Sequence, residues 1–202
     1  MTKISFEGKK VIIFDLDGTV VHLAADWMSL KKKLVDMYKK IYNEDCSFDS
    51  VSACLSNIVE KSDFDILENF FDIIRQYEVD NIEENKLIEE TIFFLNNLEL
   101  FGIKNTTKFA ILSLNTRVTI IESLKLANVL DKFNFFIGRE DLRKWKPDPE
   151  GIYKIQDHFG IKKEEMIYFG DLKKDLLTGN NAGIEAYFID DLIRLVNKKK
   201  IK

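Results

Sequence analysis

Two aspartates separated by one residue are the clearest chemical feature of this sequence. Asp15 and Asp17 follow the apolar run Val11–Phe14 and precede Gly18 and Thr19. An unbroken apolar run predicts a strand buried on both faces, which is typical of parallel α/β sheets that bind ligands at their carboxyl ends. Side chains two residues apart on an extended backbone point the same way, so the two carboxylates should face one site. Oxygen ligands suit Mg²⁺, which often also binds a substrate phosphate; the alternative is an ordinary turn that uses Asp and Gly.

Further polar residues occur at the ends of later apolar runs. Ser113 and Asp171 each follow such a run, and Asp175 lies one helical turn beyond Asp171. Lys146 directly precedes Pro147, and a proline biases the residue before it towards an extended conformation. We therefore expect a firmly positioned ammonium group near a set of carboxylates and one hydroxyl.

The spacing of apolar residues predicts the elements that position these groups. After residue 108, short apolar runs alternate with helical patterns, which is the βαβ signature of a parallel sheet. The predicted strands after the first are 109–112, 134–137, 166–169 and 186–189. The predicted helices are 117–127, 149–159, 173–182 and 191–200.

The segment between Gly18 and Gly102 contains neither glycine nor proline and has helical periodicity almost throughout. Three amphipathic helices are predicted there, with N-terminal caps at Asp26, at Asp49 or Ser50, and at Ser62 or Asp63. A further amphipathic helix is predicted over 83–101, closed by Gly102. We therefore divide the chain into a core domain, 1–21 and 83–202, and an inserted helical domain, 22–82.

The order and spacing of the polar segments resemble the four motifs of the haloacid-dehalogenase-like superfamily of phosphohydrolases. Asp15-Leu16-Asp17-Gly18-Thr19 resembles the first motif, the strand ending at Ser113 the second, Lys146-Pro147-Asp148-Pro149 the third, and Gly170-Asp171 with Asp175 the fourth. The insert resembles the helical cap of the phosphoglycolate-phosphatase-like branch. The resemblance implies an α/β fold: a Rossmann-like parallel sheet core with helices on both faces and an inserted all-helical cap domain.

The resemblance also implies a magnesium-dependent phosphatase that hydrolyses a small phosphorylated metabolite through an aspartyl-phosphate. Asp15 would be the nucleophile and Asp17 the general acid and base, while Ser113 and Lys146 would hold the phosphoryl oxygens. The implied Mg²⁺ site consists of Asp15, Asp17, Asp171 and Asp175. The implied substrate-binding residues are Gly18, Thr19, Ser113, Leu114, Asn115 and Lys146. Relatives often have asparagine directly after the serine, so Asn115 either contacts phosphate or caps the next helix.

Several basic residues have two interpretations. His22 either contacts substrate beneath the cap or is structural, and the lysines at 31–33 either steer an anionic substrate or form a solvated helix face. Arg139, Arg143 and Lys144 flank the third motif, where they either bind a second acidic group of the substrate or serve only the fold.

Alternative functions remain open at this stage. A sugar phosphomutase would use the same four groups but return the phosphoryl group to its substrate, and a phosphonatase would need a cap lysine that forms a Schiff base. A dehalogenase is disfavoured because it needs neither the metal site nor Asp17. A non-catalytic module that senses phosphate or binds a partner is the alternative outside enzymes.

Composition limits the partners of the chain. The net charge of the 202 residues is −4, which gives no electrostatic basis for binding nucleic acid. The sequence has no apolar signal core and no stretch long enough to span a membrane, so we expect a cytoplasmic protein. Cys46 and Cys54 lack metal-ligand spacing, and in a cytoplasmic chain we expect both thiols to be free. The oligomeric state does not follow from the sequence.

Overall fold

A central sheet of five parallel strands, in the order β5-β4-β1-β6-β7, organises the protein. The computed structural model describes residues 4–46 and 50–201. The sheet strands are β1 (Val11–Phe14), β4 (Lys108–Leu112), β5 (Phe135–Ile137), β6 (Met166–Gly170) and β7 (Glu185–Phe188), and two further short strands are β2 (Val21–His22) and β3 (Lys86–Leu87). The helices are α1 (Trp27–Tyr42), α2 (Val51–Glu60), α3 (Phe64–Val79), α4 (Glu89–Asn96), α5 (Arg117–Leu126), α6 (Glu150–Phe159), α7 (Lys173–Ala182) and α8 (Ile189–Lys200).

Strand β1 lies at the centre of the sheet, and its alternating side chains enter two separate apolar clusters. Val11 and Ile13 belong to the cluster that includes residues of α6 and α7. Ile12 and Phe14 belong to the other cluster, which includes residues of α4, α5 and α8. All four side chains are buried because helices cover both faces, and this explains the unbroken apolar run in the sequence. The predicted α/β fold is confirmed.

Helices α1, α2 and α3 form an insert whose two ends are joined by a small antiparallel ribbon. Strand β2 precedes the insert and β3 follows it, with Val21 opposite Leu87 and His22 opposite Lys86. Helix α1 begins as predicted, since the Asp26 carboxylate accepts a hydrogen bond from the Ser29 amide at 3.0 Å. Helix α2 begins after Ser50, and the alternative cap at residue 49 lies outside the described residues. Helix α3 begins after Asp63.

The prediction of one helix over 83–101 is wrong. This segment contains a short 3₁₀ helix, strand β3, helix α4 and a second 3₁₀ helix, and only the left-handed cap at Gly102 is as expected. Long-range pairing replaces the local helix: the Ile88 amide donates to the Val20 carbonyl at 3.0 Å, and the Thr91 hydroxyl donates to the Thr19 carbonyl at 2.7 Å. Periodicity does not register such pairings, because it reports only local amphipathicity.

The expectation that Cys46 and Cys54 are free thiols is also wrong. The structure joins them as a disulfide with 6.1 Å between their Cα atoms, which is within the range that a disulfide spans. Cys46 follows α1 and Cys54 lies in α2, so the disulfide links two neighbouring segments of the insert. Within residues 4–46 and 50–201, no helix combines the length and the apolar character needed to cross a bilayer.

Candidate active site

The polar residues selected from the sequence meet at the carboxyl edge of the sheet. Asp15 directly follows β1, Ser113 follows β4 and Asp171 follows β6. Because β1 lies between β4 and β6 in the sheet, the ends of the three strands are neighbours. This is the edge at which open parallel sheets bind their ligands.

Three carboxylates form a compact cluster at this edge. Asp15, Asp171 and Asp175 each place an oxygen within 4.8 Å of the others. Burial, together with the neighbouring charges of Asp15 and Asp175, raises the pKa of Asp171 to about 7. Asp171 Oδ1 is buried and has no hydrogen-bond partner among the described residues. An unpartnered buried carboxylate oxygen beside other carboxylates fits a hard divalent cation such as Mg²⁺.

Gly18 makes room for this cluster. Its φ of +73° lies in the left-handed region, and a Cβ at this position would collide with the Asp171 carboxylate. The turn that follows Asp17 therefore needs glycine for two reasons, its backbone conformation and the close approach of Asp171.

The Lys146 ammonium lies between two of the carboxylates and is buried with them. Its Nζ is 2.9 Å from Asp15 Oδ1 and 2.7 Å from Asp175 Oδ1. Burial alone would lower the pKa of Lys146, but Asp15 and Asp175 together raise it above its ordinary value. The lysine is therefore held as a cation directly beside Asp15.

Asp175 is fully hydrogen-bonded within the protein. Its Oδ1 accepts from the Tyr168 hydroxyl at 3.0 Å as well as from Lys146, and its Oδ2 accepts from the Leu172 amide at 2.9 Å. Burial would raise the pKa of Asp175, but Lys146 and these hydrogen bonds lower it below the usual value. With its oxygens so engaged, Asp175 holds the lysine in place, which leaves Asp15 and Asp171 as the better candidates to bind a metal directly.

Asp17 faces the same cavity but has a different environment. Its Oδ1 accepts a hydrogen bond from the Leu23 amide at 3.0 Å, and its carboxylate is not part of the three-carboxylate cluster. Burial raises its pKa, and the hydrogen bond from Leu23 reduces that rise. An aspartate with a raised pKa beside the nucleophile candidate is suited to carrying a proton.

Ser113 and Asn115 form a hydrogen-bonded pair that a residue of the helical insert completes. The Ser113 hydroxyl donates to Asn115 Oδ1 at 2.8 Å, and Asn115 Nδ2 donates to Glu78 Oε1 at 3.0 Å. Glu78 belongs to α3, whereas the other two residues follow β4. Helix α5 has Thr116 as its N-terminal cap, so Asn115 does not cap that helix.

Glu78 is one of the site residues that the sequence analysis missed. Its Oε2 accepts hydrogen bonds from the Thr116 amide at 2.8 Å, the Thr116 hydroxyl at 2.9 Å and the Thr119 hydroxyl at 2.8 Å. Burial raises the pKa of Glu78, while Arg139 and these donors reduce the rise. A signal was present in the sequence, because Glu78 follows Ile74 by four residues on the buried face of α3.

A cavity of about 390 Å³ opens over Asp15 between the core and the insert. The core lines it with Asp17, Ser113, Leu114, Asn115, Arg139, Leu172 and Lys174. The insert lines it with Trp27, Lys31 and the residues 50–52 at the start of α2. Groups from the first, second and fourth motifs and from the helical insert thus enclose one volume.

The remaining predicted residues lie around this cavity. Thr19 is fully buried and does not line it, whereas Gly18 and His22 line a neighbouring cavity of about 620 Å³ together with Asp17 and Asp171. Arg143 lies 5.4 Å from the ring centroid of Phe64 and belongs to neither cavity. A cavity of about 1040 Å³ lies at the amino edge of the sheet, lined by none of the predicted site residues.

The fold and the site define an α/β protein with an acidic site at the carboxyl edge of its parallel sheet and a helical insert above that site. The chain belongs to the haloacid dehalogenase-like hydrolase family, whose model matches residues 12–189. The resemblance inferred from the four motifs is confirmed.

Curated relatives and solved structures agree with this assignment. The chain is 26% identical over 190 residues to pyrophosphatase PpaX of Halalkalibacterium halodurans, covering 91% of this chain and 84% of the relative. It is 27% identical over 180 residues to pyrophosphatase PpaX of Bacillus cereus, covering 87% of this chain and 80% of the relative.

Among solved structures, a HAD-superfamily hydrolase of subfamily IA from Geobacter sulfurreducens aligns with a TM-score of 0.56 and 16% identity, over 94% of this chain and 97% of that one. A predicted phosphoglycolate phosphatase from Haemophilus somnus aligns with a TM-score of 0.61 and 18% identity, over 94% and 91%. At these identities the two structures support the fold alone.

Proposed function

We propose that this protein is a magnesium-dependent phosphatase that hydrolyses small phosphate monoesters through an aspartyl-phosphate on Asp15. The observation that carries the proposal is the meeting of Asp15, Asp171 and the Lys146 ammonium at one buried edge. The names of the relatives, pyrophosphatase and phosphoglycolate phosphatase, agree with phosphoryl chemistry on small substrates. The absence of a membrane-spanning helix in the described ranges is compatible with the cytoplasmic location that we propose.

The first step transfers the phosphoryl group to the enzyme. A carboxylate oxygen of Asp15 attacks phosphorus while the bond from phosphorus to the ester oxygen breaks, and Asp17 donates its proton to the leaving alkoxide. Lys146 and the Ser113 hydroxyl stabilise the negative charge on the phosphoryl oxygens. The raised pKa of Asp17 favours the protonated form that this step needs.

The second step regenerates the free enzyme. Asp17, now a carboxylate, accepts a proton from a water molecule whose oxygen attacks phosphorus. The bond from phosphorus to Asp15 breaks and inorganic phosphate leaves. Each turnover thus consumes one water and returns Asp15 and Asp17 to their starting protonation states.

We propose that Asp15 and Asp171 bind Mg²⁺ directly, with Asp175 holding Lys146 beside them and Asp17 contributing from the adjacent turn. When bound, the cation supplies positive charge that neutralises the carboxylates and the phosphoryl oxygens. Gly18 allows Asp171 to approach, and Thr19 supports the turn through its carbonyl contact with Thr91.

We further propose that residues 22–82 act as a cap on the core formed by 1–21 and 83–202. The cap and the core both line the cavity over Asp15, so substrate must enter between them. Leu114 and Asn115 line that cavity on the core side, beside Ser113. A closed cap would exclude bulk water from the phosphoryl transfer.

The test is turnover of p-nitrophenyl phosphate with and without Mg²⁺. We expect activity that requires the metal, and a loss of at least ~10³-fold in Asp15→Asn. Asp131→Asn is the control, because this aspartate is largely exposed and lies outside the cavity. In Asp17→Asn the first step needs little acid assistance with this leaving group, so mass spectrometry should detect a phosphoryl group on Asp15. An Asp15→Asn protein with parental activity would refute the proposal.

A further inference from the structure

The cavity over Asp15 contains more positive charge than the transfer of one phosphoryl group requires. Lys146 is engaged by Asp15 and Asp175. Arg139 and Lys174 line the same cavity and take no part in that arrangement. Both side chains could therefore bind an anion that enters this cavity.

Arg139 is the more deeply placed of the two cations. It follows β5 and is only 4% exposed. Its Nε has no hydrogen-bond partner in the described ranges, and its Nη1 makes a long contact of 3.4 Å with the Ser52 hydroxyl of the insert. A buried guanidinium with unused donors is costly unless an acceptor is supplied.

Two hydrogen bonds fix the backbone of Arg139. Its amide donates to the Asn115 carbonyl at 2.9 Å, and its carbonyl accepts from Trp145 Nε1 at 2.8 Å. The nearby acid Glu78 already accepts hydrogen bonds from Asn115, Thr116 and Thr119. Glu78 therefore balances the charge of Arg139 electrostatically without using its hydrogen-bond donors.

Lys174 comes from another strand end, in the first turn of α7 after β6. Its side-chain ammonium has no hydrogen bond or ion pair in the part of the chain that the structure describes. Arg139 and Lys174 thus place two positive charges on one cavity, and both would attract an anion bound there.

We propose that Arg139 and Lys174 form a subsite for a second anionic group of the substrate, adjacent to the phosphoryl group that Asp15 attacks. The preferred substrates are therefore small compounds that carry a carboxylate or a second phosphate close to the scissile phosphate. This inference rests on the proposed function, because Asp15 defines where the scissile phosphate lies. Ser52 contacts Arg139 from the cap, so the subsite includes both domains.

The experiment compares substrates matched in size that differ in the second charge. The pairs are 2-phosphoglycolate against ethyl phosphate, and ethylene glycol bisphosphate against propyl phosphate, each measured as kcat/KM with Mg²⁺, so that every member is a phosphate ester with an alkoxide leaving group. We expect the parent protein to prefer the doubly anionic member of at least one pair by about 10- to 100-fold. The first pair reports a carboxylate and the second pair reports a phosphate.

Variants then assign the preference to the two cations. In Lys174→Gln and in Arg139→Gln we expect most of this ratio to disappear. Lys173→Gln removes the same charge one residue away, from an exposed position that does not line the cavity, and should keep the ratio. If Arg139→Gln melts at a much lower temperature, Lys174→Gln decides the question alone.

Equal kcat/KM values within both pairs in the parent protein would overturn the subsite, as would an unchanged ratio in Lys174→Gln. Such a result leaves the phosphatase activity itself intact. Failure of the proposed function is a different outcome, namely no metal-dependent turnover of any of the four substrates or of p-nitrophenyl phosphate.

Discussion

Replacing Lys146 by methionine tests the electrostatic centre of the site. The substitution keeps an unbranched side chain of similar length but removes the ammonium that lies 2.9 Å from Asp15 and 2.7 Å from Asp175. Both carboxylates remain buried without their cation. We expect a loss of stability and a loss of activity from the same cause.

The size of the effect follows from the two contacts. At an effective dielectric constant of about 20, each contact has a Coulomb energy of roughly 6 kcal/mol before desolvation is counted. Desolvation of the ammonium offsets much of this, and breaking a buried pair usually costs about 3–5 kcal/mol. For a chain of this length the cost corresponds to a fall in Tm of roughly 6–20 °C. We expect kcat/KM to fall by at least ~10²-fold.

The pH dependence makes the prediction specific. Without Lys146 the pKa values of Asp15 and Asp175 in the folded protein rise. The folded state then binds more protons than the unfolded state, so the free energy of unfolding is larger at low pH. The stability difference between the parent and Lys146→Met should therefore be largest at about pH 8 and shrink towards about pH 5. Thermal unfolding in metal-free buffer, together with phosphatase assays, measures both effects.

Lys9→Met is the matched control for burying a methionine in place of lysine. Lys9 is also buried and ion-paired, but its partner Glu185 is half exposed and lies at the opposite edge of the sheet. Its loss should cost about 1 kcal/mol or less and leave activity intact, because the freed carboxylate is solvated. A loss in Lys146→Met that equals this control, or that does not change with pH, would refute the reasoning.

Three further perturbations test other parts of the site. In metal-free protein, the free energy of unfolding should fall as pH rises from about 4 towards 7. Asp171 keeps its proton up to about pH 7 in the folded protein, whereas the unfolded chain loses this proton at lower pH. Mg²⁺ should flatten this slope, as measured by calorimetric melts. Glu78→Ala should lower stability by about 2–4 kcal/mol and reduce kcat, since it leaves the Asn115 amide unpaired, and unchanged urea midpoints would contradict this. Gly18→Ala should weaken Mg²⁺ activation by at least ~10-fold, whereas Gly8→Ala, with a similar φ of +74° and open space around it, should leave it unchanged.

The sequence predicted the sheet and its carboxyl edge because those features are local. The run Val11–Phe14 and the four later apolar runs indicated strands by their composition, and each is followed by a small or polar residue: Asp15, Ser113, Gly138, Gly170 and Asp190. The parallel βαβ pattern then leaves few ways to arrange the strands, so Asp15, Ser113 and Asp171 had to meet at one edge. The N-terminal caps and the apolar faces of the three insert helices also predicted those helices.

Contacts between distant segments could not be predicted in this way. Helix 83–101 failed because strand pairing with residues near Val20 interrupts it, and the pairing of Cys46 with Cys54 depends on how two cap segments meet. Periodicity carries no information on either contact, because it reports which face of a helix is apolar, and neither a pairing with Val20, far along the chain, nor the meeting of two thiols follows from that.

The sequence by itself determined which chemistry the chain is equipped for: two motif aspartates, a lysine before proline and a second acidic pair specify phosphoryl transfer in a parallel α/β core. Only the tertiary structure decided which of those charged groups contact one another. It places Lys146 against both Asp15 and Asp175, leaves Asp171 Oδ1 without a hydrogen-bond partner among the described residues, and brings Glu78 of helix α3 into contact with Asn115. The physical reason is that charge and hydrogen-bond partners depend on distance in space, which the fold sets after the local pattern has set the elements.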